Sequence, residues 1–146
     1  MAEMIHSRAL VAGDAEGQVL FTDEPLSFWG GYDARTGAII DHHHARFGAA
    51  VAGKIFVLPG GRGSSTGSGI LLEAIRRGTA PAAMILSHAD AILALGAIVG
   101  RELYAKVMPL VVVSERDFAR LRDATHAQLD GAGRIEWTDP ADADSV

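Results

Sequence analysis

The residues best placed to do chemistry lie in one run, Leu58-Pro-Gly-Gly-Arg-Gly-Ser-Ser-Thr-Gly-Ser68. Glycines let a backbone turn sharply and approach a ligand without side-chain obstruction. If a helix begins at the serines, its first amides lack partners and carry a partial positive charge, which suits a carboxylate or phosphate. A serine there has three possible tasks. It can cap the helix, bind the anion, or move a proton if the local field stabilises its alkoxide. The residues alone leave all three open. The run lacks the Gly-Lys-Ser/Thr ending of a nucleotide phosphate loop, and Gly61, Gly63 and Gly67 do not have dinucleotide-site spacing.

Other residues compete for a role. Arg46 and Arg62 are cations that could clamp a carboxylate near the loop. Asp41-His-His-His44 suggests metal, but successive side chains of an extended chain point to alternate sides, so His42, His43 and His44 do not converge easily on one ion. Contact by one of them with substrate or a subunit is the better expectation. Pro25-Leu-Ser-Phe-Trp-Gly-Gly31 could form a lid or interface, or Phe28 and Trp29 could plug the core. His88 and Asp90 follow a strand end, where sites in parallel sheets lie, although capping accounts for Asp90.

The elements that must hold these residues are legible from periodicity. Lys54 to Leu58, Ala82 to Leu86 and Leu110 to Val113 are apolar runs suited to strands buried on both faces. Between them the pattern predicts helices from Ser64 to Arg77, with Gly78 as terminator, and over 91–103 with Asp90 as N-cap. Ser114 and Asp117 predict a capped helix over 115–122, and Arg134 to Trp137 alternates as a closing strand. Before these, 8–12, 18–22 and 38–41 read as short strands, 42–52 as an irregular crossing and 138–146 as a frayed tail. The expected fold class is α/β, one domain over residues 1–146, with a β-rich N-terminal half and a parallel α/β core.

The 146 residues carry a net charge of -5, which argues against a phosphate-tracking surface for nucleic acid. With no cysteine, this chain can supply no cysteine ligand to an iron–sulfur cluster. No stretch has the form of a signal peptide or membrane span, so a cytoplasmic location is expected.

The ordered series Gly13-x-x-x-Gly17, Glu24-Pro-Leu-Ser-Phe-Trp-Gly-Gly31, Gly37-x-Ile-Ile-Asp41, Gly53-Lys54, Leu58-Pro59, Gly61-Arg-Gly-Ser-Ser65, Leu72-Glu-Ala-Ile75, Arg77-Gly-Thr-Ala-Pro-Ala82 and Ala94-Leu-Gly-Ala97 resembles the small subunit, or swivelling domain, of the aconitase X family. The resemblance spans roughly residues 8–113. It implies the swivelling β/β/α fold and a hydro-lyase active only with a large subunit, which would hold any iron or iron–sulfur centre; this chain alone would bind no cofactor. By the same resemblance Ser64 is the proton acceptor, and Arg62, Gly63, Ser65 and Thr66 contact the substrate carboxylate. Thr66 stands where aconitases carry a substrate-binding arginine, which turns the expectation away from citrate. Two family activities remain: dehydration of cis-3-hydroxy-L-proline to Δ1-pyrroline-2-carboxylate, and dehydration of 5-phosphomevalonate. The resemblance implies the first in bacteria and the second in archaea; a composition rich in alanine and arginine with few lysines suits a bacterial chain, and so the first is expected. A reading of another class is a non-catalytic, anion-binding or regulatory module.

Overall fold

The computed structural model describes residues 3–139. Its centre is the set of apolar runs. Strands β6 (Ile55–Leu58), β7 (Ala83–Leu86) and β8 (Leu110–Val112) pair in parallel, and β3 (Ala15–Phe21) runs parallel to the other side of β6. Every residue of β6 and β7 is buried because both faces are covered. Phe56, Leu58, Met84 and Leu86 face the helices α2 (Gly67–Arg77) and α3 (Ala91–Tyr104), while Ile55, Val57, Ala83 and Ile85 face a second core.

That second core is the interior of a nearly closed barrel. The sheet order is β1-β10-β9-β3-β6-β7-β8-β2, with β1 (Glu3–His6), β2 (Arg8–Val11), β9 (His126–Leu129) and β10 (Arg134–Thr138) pairing antiparallel to their neighbours. The two end strands, β1 and β2, are joined through Ser7 alone, so the sheet must curl back on itself. Ser7 fixes the corner by donating both its N–H and its hydroxyl to the Gly133 carbonyl. Ile5, Phe21, Leu129, Ile135 and Trp137 fill the interior, with Phe118 of α4 (Glu115–Arg120) and Leu121 packed among them.

Several boundaries differ from the sequence expectations. Strands β1 and β9 were not anticipated: β1 buries only Ile5, and β9 alternates over too short a run to stand out. Strand β3 begins at Ala15, three residues before the strand expected from 18, because β9 pairs with that stretch. Thr138 belongs to β10, where its carbonyl accepts from the Thr125 N–H; the frayed tail expected from 138 is therefore wrong at its first residue, and residues 140–146 lie outside the described ones. The segment between β3 and β6 is mostly irregular. It contains a distorted single turn, α1 (Phe28–Gly31), and the small hairpin β4 (Tyr32–Asp33) and β5 (Ala38–Ile39). The buried Tyr32 hydroxyl donates to the Thr79 carbonyl at 2.7 Å and so ties this hairpin to the end of α2; burial raises its pKa.

Candidate active site

The serine loop leaves the buried end of β6 and is held on two sides before it reaches the serines. Leu26 bridges it in parallel, its N–H donating to the Gly60 carbonyl and its carbonyl accepting from Arg62 N–H, both at 3.3 Å. On the other side the Gly61 N–H donates to Asp90 Oδ2 at 2.8 Å. Gly63 then takes φ +87°, a conformation a side chain resists, and the chain turns into Ser64.

The helix does not begin at Ser64. Gly67 N–H donates to the Ser64 carbonyl and Ser68 N–H to the Ser65 carbonyl, so turns of the chain ahead of α2 satisfy its first amides. Thr66, at the N-cap position, has helical angles and makes no side-chain cap. Ser64 is therefore not the cap. Its Oγ instead accepts the Thr66 N–H at 3.0 Å, a local turn that leaves the hydroxyl exposed. Among the described residues, the N–H groups of Gly63, Ser64 and Ser65 donate to no protein acceptor. The free donors lie in the loop itself rather than in the first turn of the helix.

A small open pocket joins this loop to the start of α3. Phe28, Ile92 and Leu93 supply apolar walls, and Ser64, Arg62 and Asp90 supply the polar ones. Gly63 and Gly67 line it as well, whereas Ser65 and Thr66 are exposed beside it. Asp90 caps α3 through Oδ1, which accepts from Ile92 and Leu93 N–H at 3.0 Å, so the expected cap is present. Its second oxygen holds Gly61, a link the sequence reading missed. No spacing rule relates a helix cap to a loop formed a whole βα unit earlier.

The remaining candidates separate. Arg62 stays at the loop, half exposed, with its guanidinium 3.9 Å from Asp41. Arg46 does not: its Nε donates to the Phe21 carbonyl at 2.9 Å, which makes it a backbone brace. His44 is buried at 3% exposure, and its Nδ1 accepts the Arg46 N–H, leaving Nε2 to face the Glu24 carbonyl. His42 packs against Phe47 in a tilted arrangement with ring centroids 4.4 Å apart. His42 and His44 thus have separate surroundings, and His43 is exposed. Phe28 and Trp29 also part company. Phe28 is core, stacked on Tyr32, while Trp29 is 58% exposed beside the loop. Among the described residues, no three histidine, aspartate or glutamate side chains gather as a metal-binding group, and the chain has no cysteine. These residues do not fit an iron or iron–sulfur centre of their own.

Comparison with known proteins gives the arrangement its context. A family model for the aconitase X swivel domain matches residues 4–137. The chain is 47% identical to cis-3-hydroxy-L-proline dehydratase of Pseudomonas aeruginosa over 92% of its own length, but it spans only 23% of that protein. It is 42% identical to the phosphomevalonate dehydratase small subunit of Methanothermobacter thermautotrophicus, covering 91% of this chain and 98% of that one. The crystal structure of holo-form aconitase X from Thermococcus kodakaraensis superposes with a TM-score of 0.83 at 33% identity, covering 94% of this chain and 99% of that chain. The swivel fold, the ordered motifs and these matches agree: the chain belongs to the aconitase X swivel-domain family.

Proposed function

We propose that this chain is the small, swivelling component of a hydro-lyase, that its substrate is cis-3-hydroxy-L-proline, and that Ser64 is the proton acceptor. The 47% identity to the Pseudomonas dehydratase over nearly the whole chain carries the choice of substrate. The pocket geometry supports the assignment of roles. Ser64, once its hydroxyl proton has passed to a base outside this chain, takes the α-proton on Oγ as the alkoxide, the electron pair forms the Cα–C3 double bond, and the C3–O bond breaks. The hydroxyl departs as water with a proton from an acid outside this chain. The resulting enamine tautomerises to Δ1-pyrroline-2-carboxylate. The Thr66 N–H on Ser64 Oγ stabilises the charge that develops when the hydroxyl is deprotonated. The free N–H groups of Gly63, Ser64 and Ser65, with Arg62 alongside, receive the substrate carboxylate, and Thr66 lies at its edge.

The leaving-group acid, and any iron, belong to a large subunit that forms a heterodimer or larger assembly with this chain in the cytoplasm. The chain alone folds but does not turn over substrate. The test is reconstitution with that subunit and assay on both family substrates. Hydroxyproline turnover, reduced about 100-fold or more in Ser64→Ala, is the expected result. The 42% identity to an archaeal small subunit of matching length favours phosphomevalonate as the second reading, and turnover of phosphomevalonate alone would establish it. Full activity in Ser64→Ala would remove the catalytic role and leave an anion-binding module.

A further inference from the structure

We propose that Asp90 is a positioning residue for Ser64: its carboxylate locks the serine loop onto the start of helix α3 through the Gly61 amide. The inference rests on the reading of Ser64 as the proton acceptor. An aspartate cap needs one oxygen, and Asp90 Oδ1 alone serves Ile92 and Leu93 N–H. Oδ2 is thus spare for the cap, and it takes the Gly61 N–H at 2.8 Å. This is shorter than either backbone bond between the loop and Leu26, at 3.3 Å, and a bond to an ionised acceptor is the stronger kind. Only Arg62 and Gly63 separate Gly61 from Ser64, and Gly63 bears no bond at its N–H. Gly61 accordingly carries the shortest anchor before the serine, followed only by the 3.3 Å bond from Arg62 N–H to the Leu26 carbonyl. A Cβ at Gly61 would lie 3.0 Å from Asp90 Oδ2, so a larger residue there would press on the carboxylate.

Asp90 and Ser64 line the same pocket, where a bare carboxylate would repel an anionic substrate. Three N–H donors already surround the Asp90 oxygens, which suits a residue that orients the loop without touching the substrate.

Asp90→Asn separates the two jobs. Its amide oxygen can keep the cap, but its NH₂ group cannot accept from Gly61. In the full chain, amide hydrogen exchange at Gly61 is expected to quicken about tenfold or more while Ile92 and Leu93 stay protected. In the reconstituted enzyme, kcat is expected to fall about 100-fold with the melting temperature little changed, as displacement of a reacting group by about 1 Å does. Gly61→Ala, which pushes on the same link from the loop side and leaves the α3 cap intact, gives the same loss and serves if Asp90→Asn does not fold. Unchanged Gly61 exchange overturns the tether. Faster exchange with unchanged kcat overturns the positioning role. Full activity in Ser64→Ala overturns the underlying reading and the positioning role with it, whereas the exchange result still reports the tether.

Discussion

Replacing Gly96 by alanine tests whether the spacing of the two helices sets the serine loop. Gly96 lies on α3 where it crosses the first turn of α2, and a Cβ there would stand 2.8 Å from the Ser68 carbonyl oxygen and 3.4 Å from Leu71. Backbone cannot swing aside as a side-chain tip can, so α2 must move away from α3. Overpacking of this kind costs about 1–3 kcal/mol. Alanine returns about 1 kcal/mol over glycine inside a helix, which leaves a net loss of about 1 kcal/mol. Unfolding entropy of about 2.1 cal/mol/K per residue makes that about 3 °C in Tm for this chain. The control is Gly69→Ala on α2, where a Cβ meets nothing within 4 Å; there the propensity gain is unopposed and Tm rises by about 3 °C. Thermal melts of both variants by circular dichroism decide the matter. A Gly96→Ala protein as stable as the parent would mean that α2 yields freely, and the close crossing would not be what fixes the loop.

Gly63→Ala forces a side chain to φ +87° and brings its Cβ within 3.1 Å of Ser27 Oγ, so a melt should show about 1–3 kcal/mol of lost stability and the reconstituted assay a large drop in turnover. Tyr32→Phe deletes the buried bond to Thr79 and is expected to cost about 1 kcal/mol in denaturant titration while leaving activity intact, because the hairpin it anchors does not enter the pocket. Glu73, hydrogen-bonded by Arg76 and Arg77, has its carboxyl pKa held down at about 2, below the ordinary 4.5. A depressed folded-state pKa gives stability that is whole above about pH 4.5 and fades as pH falls toward 2. The Tm gap between Glu73→Gln and the parent should therefore narrow over that window, and a gap that stayed constant would assign the effect to packing.

The parallel centre was legible because β6, β7 and β8 are continuous apolar runs, and nothing but a strand covered on both faces makes economical use of Ile55-Phe-Val-Leu58. The barrel was not. Its closure depends on β1 and β9, which bury one and two residues respectively, too few to mark a period. Their pairing is long-range: Ile5 finds Ile135 across almost the whole chain. Local patterns carry no record of such partners. The same reason hid the corner at Ser7, whose bonds run to Gly133.

At the site, composition located the loop but not the division of labour within it. Ser64-Ser-Thr-Gly-Ser68 offers several residues able to start a helix, and capping preference alone selects the first. The chain instead makes turns before α2, with Ser64 and Ser65 lending their carbonyls to the amides that a cap would otherwise serve. That choice has a chemical consequence. The Asp90 carboxylate takes two of the first amides of α3, and the loop's own carbonyls take those of α2, so both helix ends are largely occupied. The N–H groups of Gly63, Ser64 and Ser65 remain, next to the Ser64 hydroxyl and the Arg62 guanidinium. An anionic substrate drawn to the donors in this loop is therefore brought to the same residues that would take its proton.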